Sequence, residues 1–314
     1  MVQILRQRAV MIARKYLYLI SLAKEKHFGR AAAACHVSTS TLSAAIRDLE
    51  AELGIAVVER GQHFTGLTPE GLRVLDYAQR AAAATEALRQ DLASLQGGLS
   101  GQLRLGVIPT ALTRVAELTA SFAGRHPHTT IQVRSLSTAE ILQRLRSFDL
   151  DAGIVYSESG EDGDLAFQPM WVEGHVLITG ADRFAGRDAI SWSEAAALPL
   201  CLLTPEMQNR KIIDTVFAEL GHPVAPKLET NSLLGMLAQI CAGPQSGASL
   251  CGIAPRAVLE LIGTPAGIRV LDLKDPSVAW TTGLITLARD PPAPMVAALR
   301  EEARGLRVLS GKDE

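Results

Sequence analysis

The sequence predicts an α/β protein in three parts: an N-terminal all-α winged helix-turn-helix, one long linker helix, and a two-lobed α/β region. Three observations predict it. Residues 28–67 hold two short helical runs joined by a tight turn. A long run beginning at Thr68 contains no helix breaker until Gly97 and Gly98. From Gly101 onward, strand-like and helix-like segments alternate, as they do when helices cover a parallel sheet.

A chain of 314 residues fits two or three domains. It is 47% hydrophobic and 20% charged, which leaves ample material for packed cores and little for disorder. Aromatic residues make up 4%, so aliphatic side chains must fill those cores. The longest apolar stretch, near Ala195–Leu203, contains Pro199 and is far too short to span a membrane. The first residues lack the apolar core and cleavage site of a secretory signal. A cytoplasmic protein with no membrane partner is expected. Four cysteines (Cys35, Cys201, Cys241, Cys251) do not form a disulfide framework in so long a chain. The net charge is −2, but residues 1–75 carry ten Lys/Arg against six Asp/Glu. That asymmetry puts any polyanion contact at the N-terminal end.

Residues 1–10 show no clear pattern, and Met11 begins an amphipathic helix with Tyr16, Leu19, Ile20 and Ala23 at helical spacing. Met11 reads as a possible translation start. Alternatively the first ten residues are a basic arm reaching DNA through Arg6 and Arg8. The helix Gly29–Cys35 is followed by a turn at His36-Val37-Ser38 and a second helix over Thr39–Leu53, which Gly54 stops. Leu42, Ile46, Leu49 and Leu53 define its buried face, with Val37 beneath and Ser38 as N-cap. The opposite face offers Thr39, Ser40, Ser43, Ala44 and Arg47, small or polar groups able to approach a phosphate backbone or a base edge. A plain helical hairpin with a solvated face is the alternative. Val57–Arg60 and Phe64–Leu67 read as the two strands of a wing. Arg60 could reach a phosphate or a minor groove, or pair with Glu59 or Glu70.

Thr68-Pro69-Glu70 is a helix start, with a capping hydroxyl, proline in the first turn and an acid at the positive end. Leu72, Leu75, Ala78, Ala82, Leu88, Leu92 and Leu95 form one stripe, and a stripe of that length calls for the same helix of a second subunit. Strands are then predicted at 102–107, 130–133, 152–156, 176–178, 200–203, 227–230 and 281–288. Helices are predicted at 109–124, 137–148, 192–197, 205–220, 232–241 and 294–305. The domains follow: 11–68 reader, 69–98 linker, 101–172 with 276–306 first lobe, and 173–275 second lobe.

The motifs Phe28-Gly29-Arg30-Ala31-Ala32, Leu42-Ser43-Ala44-Ala45-Ile46-Arg47-Asp48-Leu49-Glu50, Leu67-Thr68-Pro69-Glu70-Gly71, Leu103-Arg104-Leu105-Gly106 and Asp149-Leu150-Asp151-Ala152-Gly153 together resemble those of the LysR-type transcriptional regulators. The resemblance runs from Met11 to about Arg304. It implies a winged helix-turn-helix, a dimerising linker helix and an effector domain like a periplasmic binding protein. It also implies double-stranded DNA as partner, a dimer or tetramer on an interrupted palindrome, and RNA polymerase as partner if the protein activates. The DNA-binding positions it matches are Arg30, Ser38, Thr39, Ser40, Ser43, Arg47 and Arg60. The family has Gln where Thr39 stands, and Thr39 cannot make the two-point contact to adenine that Gln or Asn makes. A second departure is the expanded stretch Gly243–Gly252.

By the same resemblance a small-molecule effector sits between the lobes, at the starts of helices that follow strands, where open α/β sheets favour ligands. The matching positions are Pro109, Thr110, Ser137, Thr138, Thr204, Asn231 and Ser232, each of which also reads as a plain helix cap. Free helix N-termini suit an anionic metabolite. Residues 201–210 (CLLTPEMQNR) resemble those of family members encoded beside formate dehydrogenase or cyanate operons, implying a small one-carbon anion. Arg210 and Lys211 read as solvated.

No cofactor, metal site or catalytic group is expected. Gly247–Cys251 falls short of a nucleophile elbow because its fifth residue is Cys, and no histidine follows His222. His126 and His128 flank Pro127 as in a surface turn. Cys241 and Cys251 are close enough in sequence for a thiol switch, although the family's peroxide sensors carry a different local motif. The rival reading, a solute-binding protein or small-molecule enzyme with an added helical domain, would need a secretion signal or a catalytic constellation.

Overall fold

The computed structural model describes residues 2–59, 64–157, 163–246, 249–289 and 291–310. It divides into two compact units, residues 1–96 and 97–314.

The first unit opens with α1 (Val2–Glu25), which begins nine residues before the helix expected from Met11. The helix α2 (Phe28–Ala34) follows, and its N-cap is His27, whose Nδ1 accepts from the amides of Gly29 and Arg30 at 3.0 and 3.3 Å. Sequence reading had no cap for this helix because His lies outside the usual Ser/Thr/Asp/Asn set. The helix α3 (Thr39–Leu53) starts at Ser38, which accepts from the Thr41 amide at 3.1 Å, and ends at Gly54 in the left-handed region, φ 69°. Leu42, Ile46 and Leu49 are buried with Leu19, Leu22, Ala31, Ala32 and Val57 in one core. Leu53 is a correction: it is 41% exposed. It is the last residue before the chain turns at Gly54, and Ile55 packs on the core in its place.

Beyond the turn, the described residues do not form the two expected strands of the wing. Its described part is a single antiparallel bridge, Val58 to Leu67, and Arg60 lies outside the described residues. Glu50 holds the loop, its Oε1 accepting from the amides of Val57 and Val58 at 2.7 and 3.0 Å. The helix α4 (Pro69–Gly97) is capped by Thr68, which accepts from the Gly71 amide and donates to the Ala56 carbonyl at 2.7 Å. Gly71 is needed there, because a Cβ would collide with the Val57 carbonyl. Along α4, Leu72, Leu88 and Leu92 are exposed within one chain.

In the second unit the strands are β1 (Gly101–Val107), β2 (Thr129–Ser135), β3 (Ala152–Tyr156), β4 (Leu165–Gly180), β5 (Ala189–Ser191), β6 (Leu200–Leu203), β7 (Leu228–Thr230), β8 (Cys251–Pro255), β9 (Ile268–Lys274) and β10 (Ala279–Leu287). Between them lie α5 (Val115–Arg125), α6 (Thr138–Arg146), α7 (Trp192–Ala196), α8 (Gln208–Glu219), α9 (Leu233–Ser246) and α10 (Ala257–Ile262), and α11 (Pro294–Ser310) closes the fold. Pairing runs in the order β2-β1-β3-β10-β4-β8-β6-β7, with β9 on β4 and β5 on β9.

The two lobes share β4. Residues 165–174 pair antiparallel with β10, and residues 175–180 pair with β8 and β9. The pattern suggested only 176–178, because Pro169 sits at a register shift between Thr282 and Gly283 and breaks the alternation. β10 also pairs with β3, so the chain returns to the first half of the sheet near its end. Leu103, Leu105, Phe122, Ile141, Ile154, Ile285 and Leu299 form the first core. Trp192, Leu202, Ile213, Phe217 and Ile253 form a second, and Ile178, Met236, Ile240 and Ala254 a third.

Two expected helices are corrected at their starts. Residues 109–124 split into a 3-10 turn at Pro109–Ala111, closed by the Ala111 amide on the Ile108 carbonyl at 3.0 Å, and then α5. The helix expected from Pro205 begins at Gln208, because Thr204–Met207 close a turn of their own at 3.0 Å.

Candidate functional site

On α3, Ser38, Thr39, Ser40 and Arg47 are exposed and Ser43 is half-buried. The Ser38 hydroxyl lies 2.8 Å from those of Ser40 and Thr41, so the cap orders the first turn. Arg47 makes no hydrogen bond or ion pair among the described residues. Arg30, on α2, is engaged: Nη2 donates to the Glu25 carbonyl at 2.6 Å. Behind this face Lys15, 4% exposed, pairs with Glu52 at 2.8 Å and ties α1 to α3.

A narrow cleft of about 10 Å³, room for about one water, lies where the ends of β1 and β3 meet the start of α8. Ile108, Pro109, Thr110, Ser137, Thr138 and Tyr156 line one side, and Leu203, Met207, Gln208 and Asn209 the other. Four expected residues (Pro109, Thr110, Ser137, Thr138) are thus brought together. Thr204, Asn231 and Ser232 are not among its lining: Thr204 donates to Glu206 at 2.6 Å, and the Ser232 hydroxyl accepts from the Gly235 amide at 3.1 Å. Tyr156, Met207, Gln208 and Asn209 were missed. Nothing local marks them, since they meet the expected residues only across the sheet.

The polar groups of the cleft are mostly committed. Thr110 and Tyr156 hydroxyls lie 3.2 Å apart. Ser137 and Glu140 form a closed capping box: Glu140 Oε2 accepts from the Ser137 amide at 2.9 Å and hydroxyl at 2.8 Å. Those bonds hold the Glu140 carboxyl below its ordinary range. The helix's own carboxylate, Glu140, thus holds the N-cap amide and hydroxyl of Ser137 at the start of α6. Among the described residues, no Lys, Arg or His lines the cleft. Arg210 is not solvated but buried, bonded to Asp214 at 2.8 Å, Glu229 at 2.6 Å and the Leu203 carbonyl at 2.9 Å. Lys211 lines a wider groove, about 450 Å³, that meets the cleft at Gln208.

Beneath the cleft Asn209 Nδ2 lies 2.8 Å from Nε2 of His175, and the His175 ring stands edge-on to Trp280 at 4.7 Å. Burial pushes His175 down to about 3, so it is neutral. Two residues earlier on β4, Glu173 is pushed up to about 7 by burial, opposed by Arg114 at 3.5 Å. Arg114 also reaches Glu260 of α10 at 3.1 Å. Cys201 and Cys251 are buried, Cys241 is exposed and Cys35 is half-buried. Burial pushes the Cys201 thiol up to about 11. The Cys251 sulfur accepts from Arg183 at 3.1 Å and lies 3.3 Å from the Thr179 hydroxyl.

The helix-turn-helix description of the bacterial LysR family matches residues 13–72, and the LysR substrate binding domain matches residues 96–306. The chain belongs to the LysR family of transcriptional regulators. As a LysR-family protein it is a DNA-binding regulator with an effector-binding domain. A Streptomyces viridosporus protein, named as a probable hydrogen peroxide-inducible genes activator, is 30% identical over 303 residues, 93% of this chain and 95% of that one. A Mycobacterium xenopi protein of the same name is 37% identical over 158 residues, 50% of this chain and 83% of its own. The DNA-binding transcriptional dual regulator OxyR of Escherichia coli is 31% identical over 189 residues, 59% of this chain and 61% of its own. Among solved structures, a full-length OxyR variant from Pseudomonas aeruginosa superposes with TM-score 0.73 at 24% identity, covering 93% of this chain and 94% of that one. CbnR bound to its target DNA superposes with TM-score 0.65 at 18% identity, covering 94% and 99%. These last two show the fold.

Proposed function

We propose that this LysR-family regulator binds a promoter palindrome as a dimer or tetramer and changes its output when a small molecule occupies the cleft. In this reading residues 11–68 read DNA, 69–98 dimerise, and 101–172 with 276–306 and 173–275 form the two effector lobes. Ser38, Thr39, Ser40, Ser43 and Arg47 lie along the duplex, with Arg30 and Arg60 as flanking phosphate contacts. Pro109, Thr110, Ser137 and Thr138 meet the effector, with Thr204, Asn231 and Ser232 on the rim of the second lobe. RNA polymerase is the further partner if the protein activates, and the cytoplasm is where it works.

The observation that carries the DNA-binding half is the division of α3. Leu42, Ile46 and Leu49 anchor it, while Thr39 and Arg47 stand in solvent uncommitted. The relatives named for hydrogen peroxide raise peroxide as a signal, but among the described residues no cysteine lines the cleft. The effector reading is therefore one of reversible binding and not of thiol oxidation at that place.

A gel-shift of the full chain on DNA upstream of its gene, at several salt concentrations, tests the reading. Binding should weaken steeply with salt, because each phosphate contact releases counterions. Absent binding, or binding indifferent to salt, would overturn it.

A further inference from the structure

β4 changes partners at one point. Through Gly174 it pairs with β10, and from His175 onward it pairs with β8 and β9. The strand therefore crosses between the lobes directly after Glu173. Glu173 is 4% exposed, and neither of its carboxylate oxygens has a hydrogen-bond partner. Arg114, at the start of α5, stands 3.5 Å away through Nε, which is buried and without a hydrogen bond of its own. The other arm of the same guanidinium reaches Glu260 of α10, with Nη2 donating at 3.1 Å. Arg114 thus joins a helix of the first lobe, the crossing strand and a helix of the second. The start of α10 is hung on the same crossing, since the Arg256 amide donates to the Gly174 carbonyl at 3.1 Å.

Two carboxylates share one guanidinium there, and only one of them stands in water. The Glu260 side chain is 52% exposed and that of Glu173 is 3% exposed. With a proton on Glu173 the cluster is neutral, Arg114 against Glu260. Without that proton it carries a net negative charge, and the added charge sits on the buried member. A buried carboxylate with its hydrogen bonds unmade is costly. Burial pushes Glu173 up to about 7, opposed by Arg114 and assisted by Glu260. Among the described residues those two are the charges that act on it. The neighbouring elements add no other: His175 on β4 is neutral, Trp280 faces Glu173 from β10, and Arg256 beside α10 is paired with Asp272.

Granting the two effector lobes of the preceding section, we infer that Glu173, Arg114 and Glu260 form a proton-operated tether between them. While Glu173 keeps its proton, Arg114 stays on Glu260 and α5 is held to α10. Loss of the proton favours an arrangement in which water reaches the carboxylate, so the crossing opens and the two helices part. A ligand that prefers either arrangement then binds with release or uptake of a proton.

The full chain is spin-labelled through Ala120→Cys on α5 and Thr264→Cys after α10, both exposed positions, in a background of Cys35→Ser and Cys241→Ser. Excess unlabelled chain dilutes it, so that pulsed electron resonance reads distances within one chain. The distance should be single and short in mildly acidic buffer and lengthen by several ångström in mildly alkaline buffer, with a midpoint near pH 7. Glu173→Gln should stay short in both. Glu260→Ala, a change on the exposed side, removes the outer anchor and should be long in both, with its melting temperature showing an intact fold. A parent distance that ignores pH overturns the tether. So does a pH response that survives in Glu173→Gln, or a short distance in Glu260→Ala. None of these outcomes touches DNA binding, which the salt-dependent gel-shift tests separately, so the regulator reading stands or falls without this one.

Discussion

On α3, Arg47 stands in solvent with no ion pair among the described residues. In the cleft, the hydroxyls of Thr110, Tyr156 and Ser137 are already bonded and Thr138 alone is left over. Water explains the contrast. An exposed guanidinium loses nothing by standing unpaired, so its freedom becomes informative only with a polyanion in view. A buried hydroxyl without a partner is costly, so its solitude is informative by itself. The outer face tells its partner by charge, and the inner one tells its partner by an unfilled hydrogen bond.

The comparison breaks first on the buried side of α3. Leu42→Ala removes a side chain that is 0% exposed and should cost about 2–5 kcal/mol, read as a lower urea midpoint of the helical signal. An unchanged midpoint would mean that α3 is not anchored through this face.

Glu173 gives the next effect. Its folded carboxyl is raised from 4.5 to about 7 while the unfolded one stays near the ordinary value, so the folded state keeps a proton that the unfolded state has released. The stabilisation is complete below the unfolded value and is lost as pH rises through about 7. Glu173→Gln keeps the neutral group at all pH. Its stability advantage over the parent should grow by about 3 kcal/mol between acidic and mildly alkaline buffer. Parallel pH profiles for the two proteins would refute it.

Arg47→Ala sharpens the outer half. Affinity for operator DNA should fall about tenfold and the salt slope should lose roughly one ion, with the melting temperature unmoved. A shift in melting temperature with unaltered affinity would place Arg47 in the fold and not on the duplex. The smallest effect belongs to His27. His27→Ala should cost about 1 kcal/mol and His27→Asn much less, since Asn caps helices well. Equal losses for both would deny the cap a role.

The reader was legible because its signals are local. Leu42, Ile46 and Leu49 repeat at helical spacing, Ser38 precedes them and Gly54 ends them. The same holds for β1, β3 and β6. The long β4 was not legible, since Pro169 and Gly174 interrupt its alternation while its pairing comes from residues 279–287. β8 was obscured by the glycine-rich run before it. β9 was overlooked although Leu271 and Leu273 mark a buried side. In the cleft, Ser137 and Thr138 were found through their helix start. Asn209 was out of reach because its meaning depends on His175, 34 residues away in sequence.

Gly71 bears on how motion would pass through the reader. Its missing side chain lets α4 rest on the carbonyl of Val57, while Thr68 holds Ala56 and Glu50 holds Val57 and Val58. Glu50 of α3, residues 56–58 and the first turn of α4 are thereby tied to one another. A rotation of the first turn of α4 would therefore press on the same backbone that Glu50 of α3 holds.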